Sequence, residues 1–318
     1  MNSLNRISAK DEHAKRIEEK LNRELGQIVV KFLEDPTVVE IMLNPDGCLW
    51  VEHLGSDIKY VGNMAASQAE SLMATVASTL KTQINAKDPI LECELPFYGA
   101  RFEALLPPIV SGPTFTIRKK AIKIFTLDDY VESGIMTKKQ KELISDGIRN
   151  RQNILVVGGT GTGKTTLTNA IIHHMVQVAP HDRPVILEDT GELQCTAKNY
   201  VILRAVENVD MTRLLKATMR LRPDRIVVGE VRDGAALALL KAWNTGHPGG
   251  VATIHANSAL AGLIRMEQLV SEATQTPMQA LIAEAVNLVV SIEKVAGGRR
   301  IKEVVSIAGY NGKKYLTS

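Results

Sequence analysis

Cysteine is scarce in this 318-residue chain: Cys48, Cys93 and Cys195 are the whole complement. An odd number without C-x-x-C spacing argues against a disulfide framework or a zinc module and fits a reducing compartment. Aromatic residues are few as well, at 4%. That leaves little from which to build the stacking platform that single-strand nucleic-acid channels combine with basic charge. Neither sign of charge dominates, since 38 Lys and Arg stand against 35 Asp and Glu, a formal net charge of +3. Charge alone therefore demands neither a nucleic acid nor a membrane partner, and direct nucleic-acid binding stays open. No apolar run approaches the about 18 residues needed to span a bilayer. The opening stretch, MNSLNRISAKDEHAKRIEEK, lacks the apolar core of a signal peptide. The expectation is a cytoplasmic protein with no transmembrane segment, which reaches a membrane only through partners.

What is present is ordinary globular material, with 45% hydrophobic and 23% charged residues, in a length that suits two domains. Residues 8–34 read as an amphipathic helix whose stripe is Ile17, Leu21, Leu25, Ile28, Val29, Phe32 and Leu33, stopped by Asp35-Pro36. VEIMLNPDGCLWVEHLG reads as strand, turn and strand, with Asn44 to Gly47 as the turn. Ser67 and Glu70 have capping-box spacing and predict a helix start there. Several strands broken by Pro and Gly follow, so residues 1–118 are expected to form a smaller α+β domain. Residues 119–127 are the expected linker, and 128–318 the second domain. There Thr137 and Gln140 form another capping box, and NILVVGG, PVILED, YVILRAV, RIVVGEV and GVATIHA alternate with helical patterns. Repeated β–α units of this kind predict a parallel sheet covered on both faces.

VVGGTGTGKTT carries the spacing of a phosphate-binding loop: Gly158, four residues, Gly163, Lys164, Thr165. A strand before it and a helix after it are the context that the chemistry requires. The glycines let successive N–H groups turn inward onto phosphate oxygens, and the helix amino terminus adds its positive end. Gly158, Gly159, Thr160, Gly161, Thr162, Gly163, Lys164, Thr165 and Thr166 are thus the candidate ATP-binding residues. Lys164 is expected on the β- and γ-phosphates and Thr165 on Mg²⁺. A glycine turn with an incidental lysine is the bland alternative, and the flanking strand and helix weigh against it.

Two further predicted strands end in acid, at Glu188, Asp189 and Glu192 and again at Glu230. In open α/β sheets the carboxyl ends of the strands are where ligands sit. Hydrolysis needs one carboxylate to orient or deprotonate water and another to hold metal, directly or through water. Glu188 and Glu230 are the candidates for both roles, and spacing does not say which is the base. Strand-end acids that merely cap the next helix are the competing account of Asp189 and Glu192; Asp233 already suits such a cap beside Glu230. Gly229 stands where nucleotide-hydrolysing folds usually place an Asp, and is read as leaving room.

The stretches GGTGTGKTT, ILEDTGEL, LRPDRIVVGEVRD and GHPGGVATIHANS, in this order, resemble the Walker A, Asp, Walker B and His boxes of the secretion-superfamily traffic ATPases. The resemblance covers residues from about 90 to 295, and LPPIVSGPTFTIRKK together with the absence of cysteine after Cys195 points to its conjugation and type IV secretion branch. It implies a RecA-like ATPase core and a homohexameric ring at the inner face of the inner membrane. It also implies ATP bound between the two domains and channel proteins as partners. Lys164, Thr165, Glu188 and Glu230 take the phosphate, metal and water roles; His255, and with less support His247, sense the γ-phosphate. The same resemblance implies that Arg101 and Arg118 would act as arginine fingers. Arg204, Arg220, Arg222 and Arg232 are further contacts that sequence does not rank. The competing functions are a pilus or type II secretion ATPase, a RecA-like nucleic-acid translocase, a small-molecule kinase and a ring that binds nucleotide without turnover. A kinase needs a basic lid that is not evident here.

Overall fold

The computed structural model describes residues 9–54, 56–120, 124–206 and 208–318. The chain divides into two compact units, residues 1–122 and 123–318. Positions 1–8 of the amino-terminal stretch and 121–123 of the expected linker lie outside the described residues.

The first unit runs α1 (Ala9–Glu34), β1 (Val38–Leu43), β2 (Cys48–His53), β3 (Lys59–Asn63), α2 (Ala66–Thr79), β4 (Ile90–Glu94), β5 (Arg101–Leu105) and β6 (Thr114–Arg118). Its six strands pair antiparallel in the order β3-β2-β1-β6-β5-β4. Alternate residues such as Ile41, Leu43, Phe102, Ala104, Phe115 and Ile117 point into one core with Leu21, Leu25, Val29 and Leu72 of the helices. Helices on one face of an antiparallel sheet make this an α+β unit. Two local expectations fail. Gly26 leaves helical geometry (φ 76°, ψ 159°), so α1 is kinked and Ile28 is turned out, 40% exposed, rather than continuing the stripe. The Ser67–Glu70 capping box does not form. The helix starts earlier, its N-cap is Ala65, and no side chain caps it.

The second unit runs α3 (Leu127–Glu132), α4 (Lys138–Arg149), β7 (Ile154–Gly158), α5 (Lys164–Val178), β8 (Pro184–Glu188), β9 (Val201–Arg204), α6 (Met211–Thr218), β10 (Arg225–Val228), α7 (Ala235–Asn244), β11 (Val251–His255), α8 (Ala259–Ser271), α9 (Gln279–Ala285), β12 (Leu288–Val295), β13 (Gly298–Tyr310) and β14 (Tyr315–Thr317). The sheet order is β14-β13-β12-β7-β11-β10-β8-β9. From β12 to β9 every pairing is parallel. The last strands depart from the expected parallel sheet, because β13 and β14 add antiparallel at one edge. Central strands bury both faces. Leu155, Val157, Ile226 and Val228 face the core under α7 and α8, whereas Ile154, Val156 and Val227 face the one under α4 and α5. The Thr137–Gln140 capping box is formed: Gln140 N–H donates to Thr137 Oγ1 at 3.2 Å and Thr137 N–H to Gln140 Oε1 at 2.9 Å.

Candidate functional site

A parallel sheet sends all its carboxyl ends to one edge, and the strand order decides which ends are neighbours. Here β7, β11, β10 and β8 are adjacent in that order. Gly158, His255, the Gly229–Glu230 turn and Glu188 therefore arrive side by side, with His255 opposite Gly158 in register.

The loop after β7 leads into α5, and Gly163 at its N-cap takes a left-handed conformation (φ 94°) that a side chain would strain. Lys164 is buried, 8% exposed, and its Nζ donates to the carbonyls of Gly158 (3.0 Å) and Gly159 (2.9 Å). Thr162 Oγ1 donates to Gly159 O at 2.9 Å, tightening the same turn. Gly159, Thr165 and Thr166 are half-buried, and Thr160 and Gly161 are exposed.

His255 stands between Lys164 and Glu230. Its Nδ1 lies 3.3 Å from Lys164 Nζ and its Nε2 lies 3.0 Å from Glu230 Oε1. Burial, then the Lys164 ammonium, hold the imidazole below the ordinary histidine range against the pull of Glu230. Lys164 Nζ is almost equidistant from the two ring nitrogens, with Nε2 at 3.4 Å, so the Glu230 contact is what favours a proton on Nε2. β10 stops at Val228, so Glu230 sits in the turn beyond it. Burial pushes the Glu230 carboxyl up. The Arg232 hydrogen bond and charge, with His255 and Lys164, outweigh that and leave it below the usual range. Arg232 reaches two carboxylates at once, donating from Nη2 to Glu230 Oε2 at 2.8 Å and pairing through Nη1 with Asp189 Oδ2 at 2.5 Å.

Glu188 is 1% exposed, and its Oε2 accepts the backbone N–H groups of Glu192 (2.8 Å) and Leu193 (2.9 Å). Burial raises its carboxyl, opposed by those two hydrogen bonds and by Arg204. Asn169 of α5 fastens the same loop, donating to Glu192 O at 3.1 Å and accepting from Gln194 N–H at 2.9 Å. A Cβ at Gly229 would lie 3.1 Å from the Glu188 Cβ, so glycine is what lets the β8 and β10 ends close together. Asp189 and Glu192 cap no helix, because a loop follows β8. Asp233 does accept the Ala235 N–H at 2.8 Å, at the start of α7.

Several residues singled out in the sequence are elsewhere. His247 precedes β11 and lies at its opposite end, roughly 15 Å of strand from His255 at about 3.3 Å per residue; a γ-phosphate role for it is not supported. Arg220 and Arg222, both exposed, precede β10 and share that far edge. Arg101 and Arg118 belong to the first unit, where they are direct cross-strand partners on β5 and β6, both half-buried. Glu94 flanks Arg101 in register and Glu40 flanks Arg118.

Sequence reading missed a second polar centre at the far edge. Arg225, 2% exposed, donates from Nε to Asp182 Oδ2 at 2.6 Å and from Nη1 to Gly249 O at 3.1 Å. Arg151 donates to the other Asp182 oxygen at 2.6 Å. Asn153 Oδ1 accepts the N–H groups of Gly249 (2.8 Å) and Gly250 (2.9 Å). The available signal was a charge at the head of an otherwise apolar buried strand.

Comparison with known proteins shows the family. A family model described as "Type II/IV secretion system protein" matches residues 22–297. The chain is 57% identical over 302 residues to "Conjugal transfer protein TrbB" of Rhizobium radiobacter, covering 95% of this chain and 94% of that protein. It is 54% identical over 300 residues to "Probable conjugal transfer protein TrbB" of Sinorhizobium fredii, covering 94% and 92%. The X-ray structure of the Legionella pneumophila ATPase DotB superposes with a TM-score of 0.62 at 18% identity, covering 87% of this chain and 79% of that one. At that identity the likeness concerns the fold.

Proposed function

Because the chain belongs to the type II/IV secretion system protein family, we propose the following reading of its site: it hydrolyses ATP to drive a conjugal-transfer or type IV secretion apparatus. The observation that carries it is the convergence of Lys164, His255 and Glu230 where a phosphate-binding turn enters a helix. In this reading the second unit is a RecA-like core. The N–H groups of residues 159–166 and the α5 amino terminus receive the phosphates, and the Lys164 ammonium exchanges loop carbonyls for phosphate oxygens.

Glu230 orients and deprotonates the attacking water. It is held ionised by Arg232, and its Oε1 faces the histidine that touches Lys164. Glu188 has one oxygen committed to pinning the 189–193 loop, so its part in metal binding runs through water and its other oxygen. The Thr165 hydroxyl and these carboxylates are hard oxygen donors of the kind Mg²⁺ takes. Bound there, Mg²⁺ would neutralise charge on the β- and γ-phosphates. His255 passes the position of Lys164 to Glu230, which suits a γ-phosphate sensor.

Arg101 and Arg118 are the proposed arginine fingers. They are direct cross-strand partners, flanked in register by Glu94 and Glu40, so in this reading the phosphate would take the place of carboxylates already beside them. A homohexamer, channel proteins as partners and a place at the inner face of the inner membrane complete the proposal. Among the described residues, no helix is long and apolar enough to cross a membrane.

Lys164→Ala, with its fold checked by circular dichroism, is expected to lose ATP turnover in a phosphate-release assay. Turnover at the parent rate removes the assignment. Hydrolysis without an added acceptor separates this reading from a kinase. Steep, salt-sensitive stimulation by single-stranded DNA would favour a translocase.

A further inference from the structure

Away from the strand ends, α3 and α4 enclose a pocket of about 240 Å³, more room than one water needs. Its α4 wall is a single helix face, because Lys138, Lys141, Glu142, Ser145 and Arg149 recur at three- and four-residue intervals. Asp128 and Val131 of α3 complete the lining. A stripe turned toward neighbouring helices ordinarily carries apolar side chains; this one carries three cations and a serine. Ser145 is 3% exposed, and its Oγ has no hydrogen-bond partner among the described residues. The helical hydroxyls of Thr79, Thr168 and Thr218 donate to the carbonyl four residues back. Ser145 lines the pocket instead, and a buried hydroxyl without a partner is a standing cost.

His174 of α5 stands beside the pocket, and its Nε2 is also buried without a partner among the described residues. Burial, then Arg149, hold its imidazole below the ordinary range, with Lys141 adding to that and Gln177 and Asp128 opposing. The cations are open to exchange. Arg149 pairs with Asp146 at 2.6 Å, but both side chains are more than half exposed, and such a pair is worth little. Lys141 pairs with Asp128, and Lys138 is exposed.

We propose that this pocket is a second anion site, separate from the phosphate-binding turn, and that it takes a small phosphomonoester. A phosphate presents three acceptor oxygens, which the Ser145 hydroxyl, the planar Arg149 fork and a lysine ammonium meet together. A carboxylate offers two and leaves one donor idle. Asp128 and Glu142 limit the charge that the pocket accepts, which favours one phosphate over a polyanion. His174 lies roughly 15 Å along α5 from Lys164, at about 1.5 Å per residue, so the assignment does not depend on the nucleotide-site reading.

Histidine-ring NMR of the full-length protein tests this, with the His174 signals assigned from His174→Gln. Glycerol 3-phosphate is expected to move them saturably and to raise the pH at which the ring protonates, since bound negative charge favours the imidazolium. Ser145→Ala should weaken that binding at least about tenfold, the loss of one hydrogen bond to a charged group. Its Tm should hold or rise, because the unpaired hydroxyl is gone. Arg149→Gln should weaken binding by a similar factor, and Arg149→Lys by less; if Ser145→Ala does not fold, Arg149→Gln, at a half-exposed position, decides. No saturable His174 response to millimolar glycerol 3-phosphate overturns the proposal, as does an affinity unchanged in the folded variants. Succinate bound as tightly as the phosphomonoester overturns the ligand class. The response should persist in Lys164→Ala; its loss there traces the anion to the phosphate-binding turn and overturns the second site.

Discussion

The two edges of the parallel sheet both carry charge, and they use it in opposite ways. At the far edge, buried Arg225 and half-exposed Arg151 share Asp182, and Arg225 also donates to backbone carbonyls of the interior. At the loop edge, Lys164 rests on carbonyls of its own turn, while Glu230 divides its oxygens between His255 and a half-exposed arginine. Buried charge that is saturated fixes a fold, because any change of partner strands a neighbour in low dielectric. Charge held by replaceable partners at a strand end is what a reaction can use.

Perturbing each edge separately sharpens this contrast. The largest effect is expected from Lys164→Ala, with phosphate release falling by at least about 100-fold and the urea midpoint little moved. Arg225→Ala should do the reverse, costing about 3–5 kcal/mol of stability by breaking a buried pair while turnover per folded molecule stays near the parent value. A loss of turnover in that protein under conditions where it is fully folded would break the comparison. Gly229→Ala should do some of both. Its Cβ meets the Glu188 Cβ at 3.1 Å, so a cost of about 1–3 kcal/mol should accompany slower turnover; full stability with full rate would show that the β8 and β10 ends tolerate separation. Thr137→Ala touches neither edge and should cost only about 1 kcal/mol, the worth of one N-cap, in a chemical-denaturation series.

How far the sequence revealed these edges follows from the range of the forces involved. The glycine turn into α5, the strands that feed the site and the Thr137 cap are legible in the sequence because each is set by residues within a few positions of one another. The order of the strands was not, and it is that order which seats His255 between Lys164 and Glu230. The family resemblance groups His247 with His255, but a strand separates them and places them at its opposite ends. Nothing local in the sequence ranks Arg232 above Arg204, Arg220 and Arg222, because its two carboxylate partners come from different turns. Ser67 and Glu70 had the right spacing for a cap, yet the helix begins before them, at Ala66. Gly26 inside α1 was a visible warning of the kink that turns Ile28 outward.

The adjacency of Arg101 and Arg118 is a property of ladder register, since residue 101 faces 118 while the neighbouring Phe102 and Ile117 fill the core. Lineages are therefore free to vary length at the largely exposed tip, residues 107–111, whereas Gly112 and Pro113 are buried and Gly112 packs against the Pro45 carbonyl. One amino acid inserted within either strand would send the guanidinium group beyond it to the opposite face. Such insertions should be purged by selection, and the hairpin's arms should diverge by substitution while its tip diverges in length.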